Sequence, residues 1–311
     1  MDDFTYDKLK KKIFLDRGFD LDKYGQDYVK RRLNARMMVL NIKRDDWASY
    51  LKVIEHNIVE YVPLFDAFSV NVTEFFRDIT VWQSLRDTFF PQVIAERRQY
   101  RPASLRIWSA ACSSGEEPYT IAIILKEILP ADVTLSIIAT DIDDDALQKA
   151  AHGVYYRESL KNLEKNYPGW FKKYFTMVSQ PVDPAGAITN HTEKFQIADE
   201  IKRMVAFKRH NFLIDRAPSQ MDIIFCRNVM IYLAAPVKDT IMDMFSNALA
   251  PHGMFVVGKS EIIFLGRGKD YFYPVDAREH IYRKDRRLVG QSVYPPVVER
   301  RKDADDQKKP V

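Results

Sequence analysis

The chain has little of several things, and each shortage closes off a class of function. It has two cysteines in 311 residues, Cys112 and Cys226, far apart and in no CxxC pair. That excludes a disulfide-stapled secreted scaffold and a cysteine-built zinc site, and it fits a reducing compartment. The six histidines are scattered without metal-ligand spacing. No apolar run approaches the roughly 20 residues that a membrane helix needs. The opening residues, MDDFTYDKLKKK, are charged and lack the apolar stretch of a secretory signal. A net charge of +4 is too mild to argue for nucleic acid, and no aromatic–basic interleaving suggests base stacking. These shortages predict a soluble cytoplasmic protein with no nucleic-acid partner and no stable membrane insertion.

What is present is a globular composition, 46% apolar and 29% charged, long enough for one large or two modest domains. Residues 1–78 read as helical. Val29, Leu33, Met37 and Leu40 recur at i, i+4, i+8 and i+11, one face of a helix. Residues 79–103 read as a linking helix. From 104 to 285 strands alternate with helices: SLRIWSAA, a helix over 116–128, VTLSIIAT, a helix over 143–151, MDIIFCRN, a helix around 236–249, and GMFVVGKS. That alternation implies a parallel sheet covered by helices on both faces. Residues 154–210 break the rhythm around the turn PVDPAGAITNH and read as a small antiparallel β insert. Residues 286–311 are polar, contain a Pro-Pro pair and read as a disordered tail. The expected fold class is a Rossmann-like α/β domain with a small antiparallel insert, preceded by an all-helical domain.

The stretch Ser109–Pro118, SAACSSGEEP, joins the first strand to the first helix of the α/β part. In such sheets ligands bind beyond the carboxyl ends of the strands. Small residues here let a ligand approach the backbone, with Gly115 the position for closest approach. Yet the turn has one glycine where a dinucleotide site has three, and then Glu116, Glu117 and Pro118. Acids at a helix start also suit the helix dipole, so the turn alone reads equally well as helix-start chemistry. The second strand ends in Thr140-Asp141, where an acid grips a nucleoside ribose. A ligand with a ribose and a positive charge but no phosphate fits both ends, and S-adenosylmethionine is such a ligand.

Two other segments are more specific: SVNVTEFFRD at 69–78 and FCRNVMIY at 225–232. With SSGEEPYT, TDID, FKRHN and the closing Gly258-Lys-Ser-Glu261, they stand in the order of the motifs of the chemotaxis receptor glutamate methyltransferases, the CheR-type family. The chain closely resembles that family over about residues 5–285. Departures are mild, Ser114 for a common threonine and Thr120 for a common serine. The resemblance implies an S-adenosylmethionine-dependent protein-glutamate O-methyltransferase, acting on methyl-accepting chemotaxis receptors and expected to be a monomer.

The resemblance also implies roles. Asn71, Thr73 and Arg77 would contact the cofactor's amino-acid end, and Arg77 would either hold the cofactor or orient the substrate carboxylate. Glu117 would face the cofactor, Asp141 the ribose hydroxyls, and Asn211 and Phe212 the adenine. Cys226 and Arg227 would contribute mainly backbone, and Asn228 would shape their turn. Tyr232 would place its hydroxyl near the sulfonium and the incoming carboxylate. Plainer readings stand beside these. Phe75 and Phe76 read as core, Cys226 as a small buried residue, and Asp143–Asp145 as helix-start charges.

From Tyr28 to Arg44 the basic residues Lys30, Arg31, Arg32, Arg36, Lys43 and Arg44 have no acid among them. Arg32 and Arg36 are one helical turn apart and share a face. Without the family this is a solvated face; with it, a candidate contact for an acidic receptor helix bundle. Two competing functions are a cofactor-binding module without transfer activity and a methyltransferase acting on a small molecule or nucleic acid. The motif set argues against the first, and the helical domain joined to NVTEFFR against the second. Whether the insert docks a receptor tail stays open.

Overall fold

The computed structural model describes residues 3–68, 73–179, 193–212, 214–264 and 266–285. Asn71, the whole 181–191 turn and the expected tail at 286–311 lie outside them.

The first part is four helices: α1 (Asp3–Arg17), α2 (Gln26–Val39), α3 (Trp47–His56) and α4 (Tyr61–Phe68). Their apolar stripes meet in one core. Val29, Leu33 and Met37 of α2 are buried there with Leu9, Tyr50 and Leu64. Asp46 caps α3 by accepting the Ser49 N–H at 3.1 Å, which satisfies one of the donors a helix start leaves open.

The second part is built on a seven-stranded sheet. Its strands are β1 (Ser104–Ala110), β2 (Thr134–Asp141), β6 (Val205–Arg209), β7 (Met221–Cys226), β8 (Leu249–Val257), β9 (Phe272–Asp276) and β10 (Ile281–Lys284), in the order β6-β2-β1-β7-β8-β10-β9. The first five are mutually parallel, and β10 runs antiparallel to both its neighbours. Side chains alternate across the sheet as the two-residue period requires. Leu105, Ile107, Ile223 and Phe225 enter one core, while Trp108, Ala110, Ile224 and Cys226 enter the other. Helices therefore cover both faces, as the alternating sequence pattern requires, and the expected α/β class with its helical preface is the one observed.

A separate three-stranded antiparallel sheet, β3 (Val154–Tyr156), β5 (Lys194–Ile197) and β4 (Phe175–Ser179), forms the insert. It is shorter than the 154–210 stretch suggested, because β6 pairs with β2 in the main sheet. The helical run at 79–97 does more than link. Trp82 stacks on Phe225 at 5.7 Å, and Phe75, Phe76 and Trp82 belong to the sheet domain's core. Among the described residues no helix is long and apolar enough to cross a membrane, and no cluster of three His, Cys, Asp or Glu could hold a metal.

Candidate active site

β1 and β7 lie side by side, and strand order runs outward from that pair in opposite directions. Such a switch point opens a crevice beyond the strands' carboxyl ends. The loops that leave β1 and β7 meet there. Both turn through left-handed backbone: Ala111 (φ 61°), Ser113 (φ 48°) and Gly115 (φ 93°) after β1, and Asn228 (φ 63°) after β7. For non-glycine residues such a conformation costs about 1–3 kcal/mol and persists only where surrounding contacts over-determine it.

Two buried carboxylates supply those contacts. Asp141, at the end of β2, accepts the N–H of Ser113 at 2.7 Å and of Asp143 at 3.0 Å. Glu261, just past β8, accepts four: Asn228 at 2.9 Å, Val229 at 2.9 Å, Met230 at 2.8 Å and Gly258 at 2.6 Å. Glu261 is 2% exposed. Burial raises its pKa while the four N–H groups pull it back down. The Gly-Lys-Ser-Glu motif signalled this residue, but its task appears only in three dimensions.

Against the two loops packs the segment that begins at Thr73. A narrow cleft of about 50 Å³ separates them, and Thr73, Arg77, Glu117, Arg227 and Asn228 all line it. The Glu117 carboxylate accepts from Ser109 Oγ at 2.8 Å and lies 3.5 Å from Arg227 Nη1. Burial pushes the Glu117 pKa up, and Arg227 and Ser109 oppose the shift. Arg227 departs from the expectation that it offers mainly backbone. Its Nη2 donates to Asp78 Oδ2 at 2.8 Å and to the Arg77 carbonyl at 3.1 Å. Its guanidinium also lies 5.2 Å over the Trp82 ring. The side chain thus ties the β7 loop to both the NVTEFFRD segment and Glu117. Thr73 and Arg77 also line a second, wider cleft toward Tyr155 and Tyr156 of the insert.

The remaining residues fall into three groups. Asn211 and Phe212 follow β6, one strand beyond Asp141, and the preceding His210 N–H donates to the Asp141 carbonyl at 2.8 Å. Phe212 packs on Trp108 and Phe245. Cys226 is fully buried at the end of β7, and burial drives its thiol pKa far up, so it is no nucleophile. Tyr232 sits one 3₁₀ turn past the β7 loop, its ring 4.8 Å from that of Tyr28 in α2.

Other expectations change. Gly115 has a packing reason of its own: a Cβ there would sit 2.8 Å from the Cβ of Ala150, and its φ of 93° disfavours any other residue. Arg32 and Arg36 do not form one exposed basic face. Arg36 forks onto the buried Glu60 at 2.6 and 2.8 Å, and Tyr50 donates to the same carboxylate at 3.0 Å. Arg32 lies 5.1 Å over the Tyr28 ring. Asp143 caps the Asp144–His152 helix through the Ala146 N–H at 3.0 Å. Phe75 and Phe76 are wholly buried core.

The donor set suits a zwitterionic nucleoside. A half-buried carboxylate, Glu117, and a guanidinium, Arg77, line one cleft, a second acid stands at the end of β2, and no glycine-rich phosphate cradle is present. Comparison with known proteins agrees. The family model described as the CheR methyltransferase SAM binding domain matches residues 71–281, and the CheR methyltransferase all-alpha domain matches residues 5–69. A chemotaxis protein methyltransferase of Salmonella typhimurium is 32% identical over 266 residues, covering 84% of each chain. One from Borreliella burgdorferi is 29% identical, covering 88% of this chain and 93% of its own. Chemotaxis protein methyltransferase 2 of Pseudomonas aeruginosa is 31% identical over 94% of this chain and 92% of its own. The chain belongs to the CheR family of S-adenosylmethionine-dependent protein methyltransferases.

Proposed function

We propose that the protein methylates glutamate side chains of chemotaxis receptors, giving glutamate methyl esters and S-adenosylhomocysteine for sensory adaptation. The observation that carries this reading is the convergence of Thr73, Arg77, Glu117, Arg227 and Asn228 on one cleft at the switch point of the sheet. S-adenosylmethionine supplies an activated methyl group on a cationic sulfur. Glu117 would face its ammonium, and Asp141, whose oxygens keep acceptor capacity beside the backbone N–H groups they meet, would take the ribose hydroxyls. Asn211 and Phe212 would frame the adenine.

The chemistry asks little of the protein in acid–base terms. An acceptor glutamate with an ordinary pKa of about 4.3 is already ionised at neutral pH. A carboxylate oxygen forms the new bond to the methyl carbon, and the old bond's electron pair stays on sulfur. Opposite charges vanish in that step, so tight pairing of the reactants in the ground state would not help it. Alignment and removal of water would. Arg77 suits alignment because its planar fork binds both oxygens of a carboxylate. It lines both clefts, so the same position serves the cofactor carboxylate or the acceptor. Tyr232 would orient the acceptor from the side of the helical domain.

The test is transfer of radiolabelled methyl groups to a receptor cytoplasmic fragment, followed by mild base. Volatile label released by base is the expected result; base-stable label would sink the ester assignment. Tyr232→Phe and Arg77→Ala should each lower turnover strongly.

A further inference from the structure

Among the described residues, the helical domain pairs with the segment that carries Tyr232. Residues Lys23–Gly25, just before α2, run antiparallel to Tyr232–Ala234. The Gly25 N–H donates to the Tyr232 carbonyl at 3.0 Å, the Ala234 N–H donates to the Lys23 carbonyl at 2.9 Å, and Tyr24 bridges Leu233. In the first turn of α2, Tyr28 lays its ring on that of Tyr232, with centroids 4.8 Å and planes 33° apart.

Tyr28 is itself held from several sides. Its hydroxyl donates to the Phe68 carbonyl at 2.6 Å, its ring meets Phe68 edge-on at 5.8 Å, and the Arg32 guanidinium lies 5.1 Å over its face. It is 6% exposed. A ring held in this way gives the half-buried Tyr232 ring a fixed surface to pack against, and close packing restricts the directions that ring can take. By contrast, Glu117, Asp141 and Asn228 are held by Ser109, Arg227, Ser113 and Glu261, all in the sheet domain. Helices α1–α4 therefore meet Tyr232, while these three residues are held from within the sheet domain.

We propose that Tyr28 is the positioning residue for Tyr232, so that the helical domain sets the geometry of the transfer step. This rests on the reading of Tyr232 as a residue acting at the acceptor. Tyr28→Leu keeps an apolar filler but removes the ring. At saturating receptor fragment it should lower kcat roughly tenfold, the scale of a small misplacement of an aligned group. The dissociation constant for S-adenosylmethionine, measured by calorimetry, should stay within about twofold because its contacts lie elsewhere. Tyr28→Phe, which restores the ring, should recover most of the rate. Full kcat in Tyr28→Leu beside an impaired Tyr232→Phe would overturn the proposal alone. Full kcat in Tyr232→Phe would overturn the reading of Tyr232 and the proposal with it. Equal loss of cofactor binding and rate in Tyr28→Leu would show that Tyr28 merely supports the fold.

Discussion

The loops after β1 and β7 use the same device to different ends. Each turns through left-handed backbone, and each is held by a buried carboxylate reaching in from the end of a neighbouring strand. Asp141 takes the N–H groups of Ser113 and Asp143, with that of Ile142 also directed at it, and is 8% exposed. Glu261 takes four and is 2% exposed. A carboxylate has about four lone-pair sites. Glu261 is saturated by the backbone, whereas Asp141 has acceptor capacity left. Glu261 thus serves its loop, while Asp141, the less enclosed of the two, is the one proposed to meet a ligand as well.

The largest expected effect comes from removing the saturated staple. Glu261→Ala leaves four N–H groups without this acceptor, two of them on the buried Met230 and Gly258, and each buried orphan costs about 1–3 kcal/mol before relaxation. A net loss of about 4 kcal/mol, read as a shift of the urea midpoint, is expected. Glu261→Gln should fall between, since one amide oxygen remains but the amide N–H groups face other donors. A loss under about 1 kcal/mol in the alanine variant would mean the loop holds itself.

Asp141→Asn should break the symmetry the other way. Stability should drop little, since one oxygen still accepts. Cofactor affinity should fall about a hundredfold, close to 2.7 kcal/mol, as charge-assisted bonds to two ribose hydroxyls are lost. Calorimetric titration with S-adenosylhomocysteine measures this directly. Unchanged affinity with a stability loss like that of Glu261→Ala would make Asp141 a second purely structural staple.

The sequence shows best what is local. SLRIWSA and MDIIFC are legible as strands from their apolar runs, while the two cores that their adjacent side chains enter are seen only in the structure. The α2 stripe was legible for the same reason, and the chemistry-bearing blocks are short contiguous runs. What escaped depends on distant partners. Spacing put Arg32 and Arg36 on one face but could not show that Glu60, 24 residues on, takes Arg36 inward. Gly115 looked made for a ligand because Ala150, its actual neighbour, lies in the next helix. The Arg227 side chain reads as one more polar residue until Asp78 and Glu117 are seen on either side. β6 hid because it is an edge strand, mostly exposed, with no apolar run to announce it.

The smallest expected effect concerns a third buried acid, and it sharpens what backbone donors do for the other two. Glu116 opens the helix after β1, is 5% exposed, and has a single side-chain donor, Ser114 Oγ at 2.8 Å. Burial lifts its pKa from 4.5 to about 7, with Ser114 opposing. The folded state therefore binds more protons than the unfolded one between about pH 4.5 and 7. Stability from this group is full below that window, declines as pH rises through it, and is gone above it. Glu116→Gln keeps the hydrogen-bonding shape without the charge, so it should flatten this slope and stabilise the protein by roughly 1–2 kcal/mol at pH 8. Urea melts of parent and variant at pH 5 and pH 8 test it: the two should nearly coincide at pH 5 and separate at pH 8. Parallel curves at both would show that Glu116 ionises as freely as in the unfolded chain.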